Sequence, residues 1–293
     1  MKKRALILLA ALGLPALADT RTDQPVPVYR VTVVARTTKA VNYGHRSGPT
    51  RIGFQGTVLM PKASGEATVE SRRGAVLIEA KFKQVQPPTR FGREYLTYVL
   101  WALTPEGRAT NLGEIFADDS DEGKLKVATE LQAFALIVTA EPYFAVTQPS
   151  DVVVMENVLR KDTAGKAEFL DAKYELLPRG HYTYRIDPEA GQRNGEKKVS
   201  LAEYEALLAL YQARNAIQIA TSQGAGVHAA SVLKKAEQLL AEAEDHQRSQ
   251  AGTKLVVMTA RQAAQTAEDA RAISLKRQEP ARPADPGQPT SQP

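Results

Sequence analysis

Tyr29, Val31, Val33 and Ala35 alternate with Arg30, Thr32, Val34 and Arg36, a period of two that predicts a strand with one buried face. Similar runs follow at 51–60, 67–71, 75–85, 95–103, 124–129, 134–140 and 151–158. Turn signals separate them, among them Ser47-Gly48-Pro49, Ala63-Ser64-Gly65, Arg73-Gly74, Pro87-Pro88, Pro105-Glu106-Gly107, Asp121-Glu122-Gly123 and Glu141-Pro142. Short strands at close spacing, with no helical pattern between them, predict an antiparallel β-sandwich of Ig-like type over residues 27–159. Trp101, the only tryptophan, lies in the most apolar run. With Leu103 and Leu112 it is expected in the sandwich core rather than stacked on a ligand.

Residues 160–199 read as a connector rich in charge and glycine, broken by Pro178-Arg179-Gly180 and Pro188, with 181–186 a candidate edge strand. From Ser200 the period becomes 3.6. Ser200-Leu201-Ala202-Glu203 is a capping box that starts a helix over 200–222. Gln223-Gly224-Ala225-Gly226 ends it, and a second helix is predicted over 227–247. Its apolar positions Ala229, Leu233, Ala236, Leu240 and Ala243 are spaced 4, 3, 4, 3. A third helix follows to about residue 277, with Val256, Ala260, Ala263, Ala267 and Ala270 at the same spacing. Small residues along a seam allow close approach, so residues 200–277 predict an alanine-rich antiparallel three-helix bundle. The same seam also suits a partner helix or a second copy. Residues 278–293 carry five prolines and read as a disordered tail. The whole is expected to be a two-domain α+β protein.

Lys2, Lys3 and Arg4 precede an apolar run over 5–18 that ends in Ala16-Leu17-Ala18. This is the three-part pattern of a secretory signal cleaved near Ala18. The run is too short for a spanning helix, which needs ~20 residues. A periplasmic or secreted protein is expected, with no transmembrane segment after cleavage. Removing the three cations lowers the formal charge from +5 to about +2, which argues against a nucleic-acid partner. The absence of cysteine excludes disulfides, thiolate metal sites, thiol catalysis and a lipidated cysteine.

Little points to chemistry. His45, His181, His228 and His246 show no metal-ligand spacing. The run Asp118-Asp119-Ser120-Asp121-Glu122-Gly123 resembles the start of a calcium loop, but the closing glutamate position holds Thr129, so an acidic turn is expected. There is no nucleophile elbow, phosphate loop or dinucleotide fingerprint. Glu79, Glu94 and Glu141 are scattered over strands and turns. Lys81 and Lys83 share a strand face with Glu79, near Arg72 and Arg73. That face is expected to be solvated, the alternative being contact with an anionic lipid or cell-wall polymer. No catalytic, cofactor-binding or metal-binding residue is nominated, and no cofactor is expected.

The runs Ala213–Ala220, Leu233–Ala243 and Ala260–Ala270, with Gly224-Ala225, resemble domain of unknown function 4398. That helical module of bacterial envelope proteins often occurs in lipoproteins or before an OmpA-type domain. Here no lipobox cysteine is present and a proline-rich segment follows the third helix, so direct peptidoglycan binding is not implied. Tyr98-Val99-Leu100-Trp101-Ala102-Leu103, Gly107, Asn111-Leu112-Gly113-Glu114 and Phe134–Glu141 followed by Gln148-Pro149 are similar to the extracytoplasmic domain of RskA-type anti-sigma factors. This similarity implies a β-sandwich. The expected function is a non-enzymatic structural or protein-interaction role in the cell envelope, with an envelope protein or a second copy as partner. The alternative is a binding module for peptidoglycan, lipopolysaccharide or a small ligand.

Overall fold

The computed structural model describes residues 36–44, 48–117, 121–163, 167–172 and 200–279. The signal segment, the first predicted strand up to residue 35, most of the connector with its candidate strand, and residues 280–293 lie outside them. The ten strands are β1 (Arg36–Asn42), β2 (Thr50–Gly56), β3 (Ser64–Arg72), β4 (Ala75–Lys83), β5 (Thr97–Leu103), β6 (Ala109–Ala117), β7 (Gly123–Thr129), β8 (Ala133–Glu141), β9 (Val153–Val158) and β10 (Ala167–Ala172).

These strands do not form a sandwich. The sheet order runs β8-β5-β6-β7-β4-β3-β2-β9, and β9 then pairs back onto β8 through Ile137↔Glu156 and Val138↔Met155. All pairs are antiparallel, and the ring closes into an eight-stranded β-barrel. Neither the Ig-like reading nor the sandwich implied by the RskA similarity survives that closure. A sandwich needs two sheets with free edges, whereas here β9 is hydrogen-bonded on both sides, to β2 and to β8. β1 extends the sheet outside the ring, pairing with β10 and with the first residues of β8.

Ile52, Phe54, Ile78, Phe82, Leu100 and Leu136 fill the barrel interior. Trp101 and Leu103 are fully buried, but not there. They point outward from β5 with Val99, and Ile137 points outward from β8, into a second apolar layer beneath the helices. β5 is therefore buried at every position, alternately by the barrel interior and by the helical layer. Leu112 is only partly buried and packs on the interior cluster.

The helical part has three long helices: α1 (Leu201–Ser222), α3 (Ala230–Arg248) and α4 (Thr253–Gln278). The predicted second helix is split. Gly224, at φ 83°, starts a single turn, α2 (Ala225–His228), and Ala229 at φ −142° interrupts it before α3. The capping box forms as its residues imply: Ser200 Oγ accepts from Glu203 N, and Glu203 Oε2 accepts from Ser200 N at 2.8 Å. The chain runs up, down and up, so α1 and α4 are parallel and only α3 is antiparallel to its neighbours. Ser274 Oγ, near the end of α4, donates to Gln223 O at the end of α1 at 2.7 Å. The predicted seam residues Leu233, Ala236, Ala260, Ala263 and Ala267 are buried, and Leu240 is partly so. Ala213, Ala260 and Ala263 join Trp101 and Ile137 in one apolar cluster, so the helices pack on the barrel wall as well as on one another.

Candidate functional site

The apolar layer between barrel and helices contains a set of buried ionisable groups. The segment linking β8 to β9 runs through this layer, with Tyr143 and Val146 fully buried. Glu268 and Arg271 lie three residues apart on α4 and so share a helix face. Each side chain is 1% exposed. Arg271 grips Glu268 in a fork, Nε to Oε2 and Nη2 to Oε1, both at 2.7 Å. The linker completes the carboxylate: Tyr143 Oη donates to Oε2 at 2.5 Å, and Thr147 N and Oγ1 donate to Oε1 at 2.9 and 2.5 Å. Arg271 further donates to Thr147 Oγ1 at 2.8 Å, Gln148 Oε1 at 3.3 Å and Gln223 Oε1 at 3.1 Å. Burial acts against the Arg271 charge, but the hydrogen bond and charge of Glu268 outweigh it and raise its pKa above the ordinary value.

A second carboxylate, Glu114, projects outward from β6. Its Oε1 accepts from Thr97 Oγ1 and Gln212 Nε2, both at 2.7 Å, and its Oε2 accepts from Arg261 Nη1 at 2.5 Å. Gln212 on α1 also accepts from Phe144 N at 2.8 Å, so one amide ties strand, helix and linker together. The Arg261 guanidinium sits 3.7 Å from the centroid of the Phe144 ring, a stacked cation–π contact. Asn111 and Asn215 donate to linker carbonyls, Asn111 to Phe144 and Val146 and Asn215 to Pro142.

Glu141 closes β8. Its Oε1 accepts from Ser150 N at 2.7 Å and from Thr139 Oγ1. Its Oε2 is buried with no hydrogen-bond partner among the described residues. Burial pushes its pKa up to about 8, against the hydrogen bonds from Thr139 and Ser150, and the charges of Asp151 and Glu268 add to the rise. The carboxyl is therefore largely protonated at pH 7.

Of the polar residues singled out from the sequence, Glu141 lies in this joint and Glu94 meets it through its carbonyl, which accepts from Asn215 Nδ2 at 3.0 Å, while the others lie elsewhere. His228 lies in the isolated turn α2 and His246 in α3, on separate elements. Asp121 and Glu122 lead into β7, and residues 118–120 of the acidic run lie outside the described residues. Lys81 and Lys83 are exposed on the barrel wall, and Arg72 pairs with Glu70 at 3.1 Å. No group of three or more His, Asp or Glu able to hold a metal ion occurs among the described residues. The sequence reading missed Glu114, Glu268 and Arg271. A signal was present for two of them, because Glu268 and Arg271 interrupt the alanine stripe Ala260-Ala263-Ala264-Ala267-Ala270 on its buried side. A charge in such a stripe marks a pairing point.

Chemically, the joint holds charges out of water and satisfies them internally. Both oxygens of Glu114 and of Glu268 already accept from protein donors. A scan against protein-family models finds no match to this chain, and a search of curated proteins finds no relative.

Proposed function

We propose that the chain is a non-enzymatic cell-envelope protein, exported by its N-terminal segment to the periplasm or beyond, with a structural or protein-interaction role. The carrying observation is how the buried ionisable groups are used. Glu114, Glu268 and Arg271 are all committed to joining the helices to the barrel wall. The barrel interior is filled by large apolar side chains such as Phe82, Ile78 and Leu100. Both features support a role carried by the outer surface. The likeness of residues 213–270 to domain of unknown function 4398 supports an envelope setting. Among the described residues no helix is long and apolar enough to cross a membrane. The partner is an envelope protein or a second copy of the chain, engaged through exposed helix faces or strand edges.

The test is fractionation of cells producing the full chain, with cross-linking of whole envelopes. The expected result is a processed protein starting near Asp19 outside the cytoplasm, cross-linked to a defined envelope protein or to itself. An unprocessed cytoplasmic protein, or a processed one with no cross-linked species, overturns the reading.

A further inference from the structure

The segment between β8 and β9 is a loop held at its foot by the barrel and at its tip by the helices. At the foot, Glu141 Oε1 accepts from Ser150 N at 2.7 Å, Ser150 Oγ donates to Ala140 O at 2.7 Å, and Ala140 N donates to Val152 O at 3.0 Å. At the tip, Tyr143 and Thr147 donate to Glu268 on α4, and Phe144 N donates to Gln212 on α1. One fully buried carboxyl, Glu141, thus closes the loop that carries the grip on both helices.

The surroundings of Glu141 suit a neutral group. Its Oε2 has no hydrogen-bond partner among the described residues. The charges that act on it are both negative, Asp151 from the loop and Glu268 from α4. The cations of the neighbouring helices are taken, Arg271 by Glu268, Arg261 by Glu114 and Arg214 by Glu244. From β5, Trp101 reaches it through Thr139, and Thr97 directly opposite gives its hydroxyl to Glu114. β9 brings apolar Val153 beside Thr139, and α1 brings the neutral Asn215 amide to the carbonyl of Pro142. An ionised Glu141 would leave a buried anionic oxygen without a donor and add a third negative charge to this corner.

We propose that Glu141 is a proton-operated latch on this loop: holding its proton, it keeps the foot closed, and losing it, it favours an open form in which water reaches the carboxylate and residues 142–149 release α1 and α4. The sign follows from linkage. In the open form the carboxyl is hydrated and ionises near its ordinary value of 4.5, whereas burial in the closed form delays ionisation to about 8. Opening therefore becomes easier as pH rises between these values and levels off above about pH 8. Strands β3 and β4 pair with each other and with β2 and β7, away from the loop, so they open only with the whole barrel.

The test is amide hydrogen exchange on the purified full-length protein, each rate divided by the intrinsic rate at that pH. The reporters are the N–H groups of Phe144, Thr147 and Ser150, with those of β3 and β4 as the global reference. The expected result is that the loop exchanges faster than the reference and loses roughly tenfold or more protection between about pH 6 and about pH 8. Glu141→Gln, similar in shape and unable to ionise, is expected to abolish that fall. Asp151→Asn removes one of the two negative neighbours, lowers the closed-form pKa of Glu141, and is expected to make the fall smaller and end at lower pH. Loop protection that does not change with pH overturns the proposal. So does an equal fall in Glu141→Gln, an unaltered profile in Asp151→Asn, or loop exchange no faster than that of β3 and β4, which would mean that the loop opens only when the whole protein unfolds.

Discussion

The indole N–H of Trp101 donates to Thr139 Oγ1 at 2.7 Å, on the outer face of neighbouring strands of the barrel. The Thr139 hydroxyl in turn donates to Glu141 Oε1, so a single hydroxyl links the only tryptophan to a buried carboxyl whose pKa is raised to about 8.

The burial of Glu141 makes this part of the stability fall with rising pH. The folded state keeps Glu141 protonated up to about pH 8, while the unfolded chain releases the proton near the ordinary value of 4.5. Between these values the folded state holds the extra proton. This contribution is therefore complete below pH 4.5, declines through the window and is lost above about pH 8. Trp101 emission is expected to change with a midpoint near pH 8. Glu141→Gln, which cannot ionise, flattens both the emission change and this part of the stability profile. A variant retaining the wild-type emission midpoint contradicts the assignment.

Arg271→Met leaves Glu268 charged in a dry joint, held only by Tyr143 and Thr147. The expected cost is ~3–5 kcal/mol, the usual penalty for stranding one member of a buried pair. The double variant Glu268→Leu/Arg271→Met removes both charges and is expected to recover much of that loss. Urea denaturation of the two variants beside wild type checks this, and a double variant weaker than the single one refutes it.

Arg261→Lys and Arg261→Ala separate charge from shape. Lysine keeps a cation for Glu114 but not the planar stack on Phe144. The lysine variant is expected to lose ~1 kcal/mol and the alanine variant ~2–3 kcal/mol, because Glu114 then stays buried without its cation. Equal melting temperatures for the two variants argue that the ring contact contributes nothing.

Barrel and helices share one apolar layer, and the described residues fall in one compact unit. Helical far-ultraviolet signal and Trp101 fluorescence are expected to change in a single coincident transition on denaturation. Two separated transitions would show that the helices fold independently of the wall. Deleting residues 200–293 uncovers Val99, Trp101, Leu103 and Ile137, and the truncated chain is expected to aggregate.

The legible parts of this protein were those encoded locally. The capping box of α1 needs only Ser200 and Glu203, three residues apart. The alanine spacing of α4 needs only its own period. The sequence pattern places no strand over β6, where Asn111, Gly113 and Glu114 break the apolar alternation around Leu112. Asn111 and Glu114 are polar because they face the joint, and Gly113, at φ 142°, sits beside the β5–β6 bulge. The continuous apolar run of β5 was visible, but its cause was not. A strand buried by a second sheet and one buried by helices carry the same pattern.

The amino-acid order alone determined seven of the described strands, the three long helices and several turns, since these follow from side-chain period and backbone preference over a few residues, but not β1, β6 or β10. Only the tertiary structure decided that the sheet closes, that Trp101 lies outside the barrel rather than within it, and that Glu114, Glu268 and Arg271 meet. Closure rests on Val138 pairing with Met155, and the joint on Thr97 reaching Gln212 through Glu114. Such contacts depend on the chain's return path in space, and a local pattern of polar and apolar residues leaves that path open between a sandwich and a barrel.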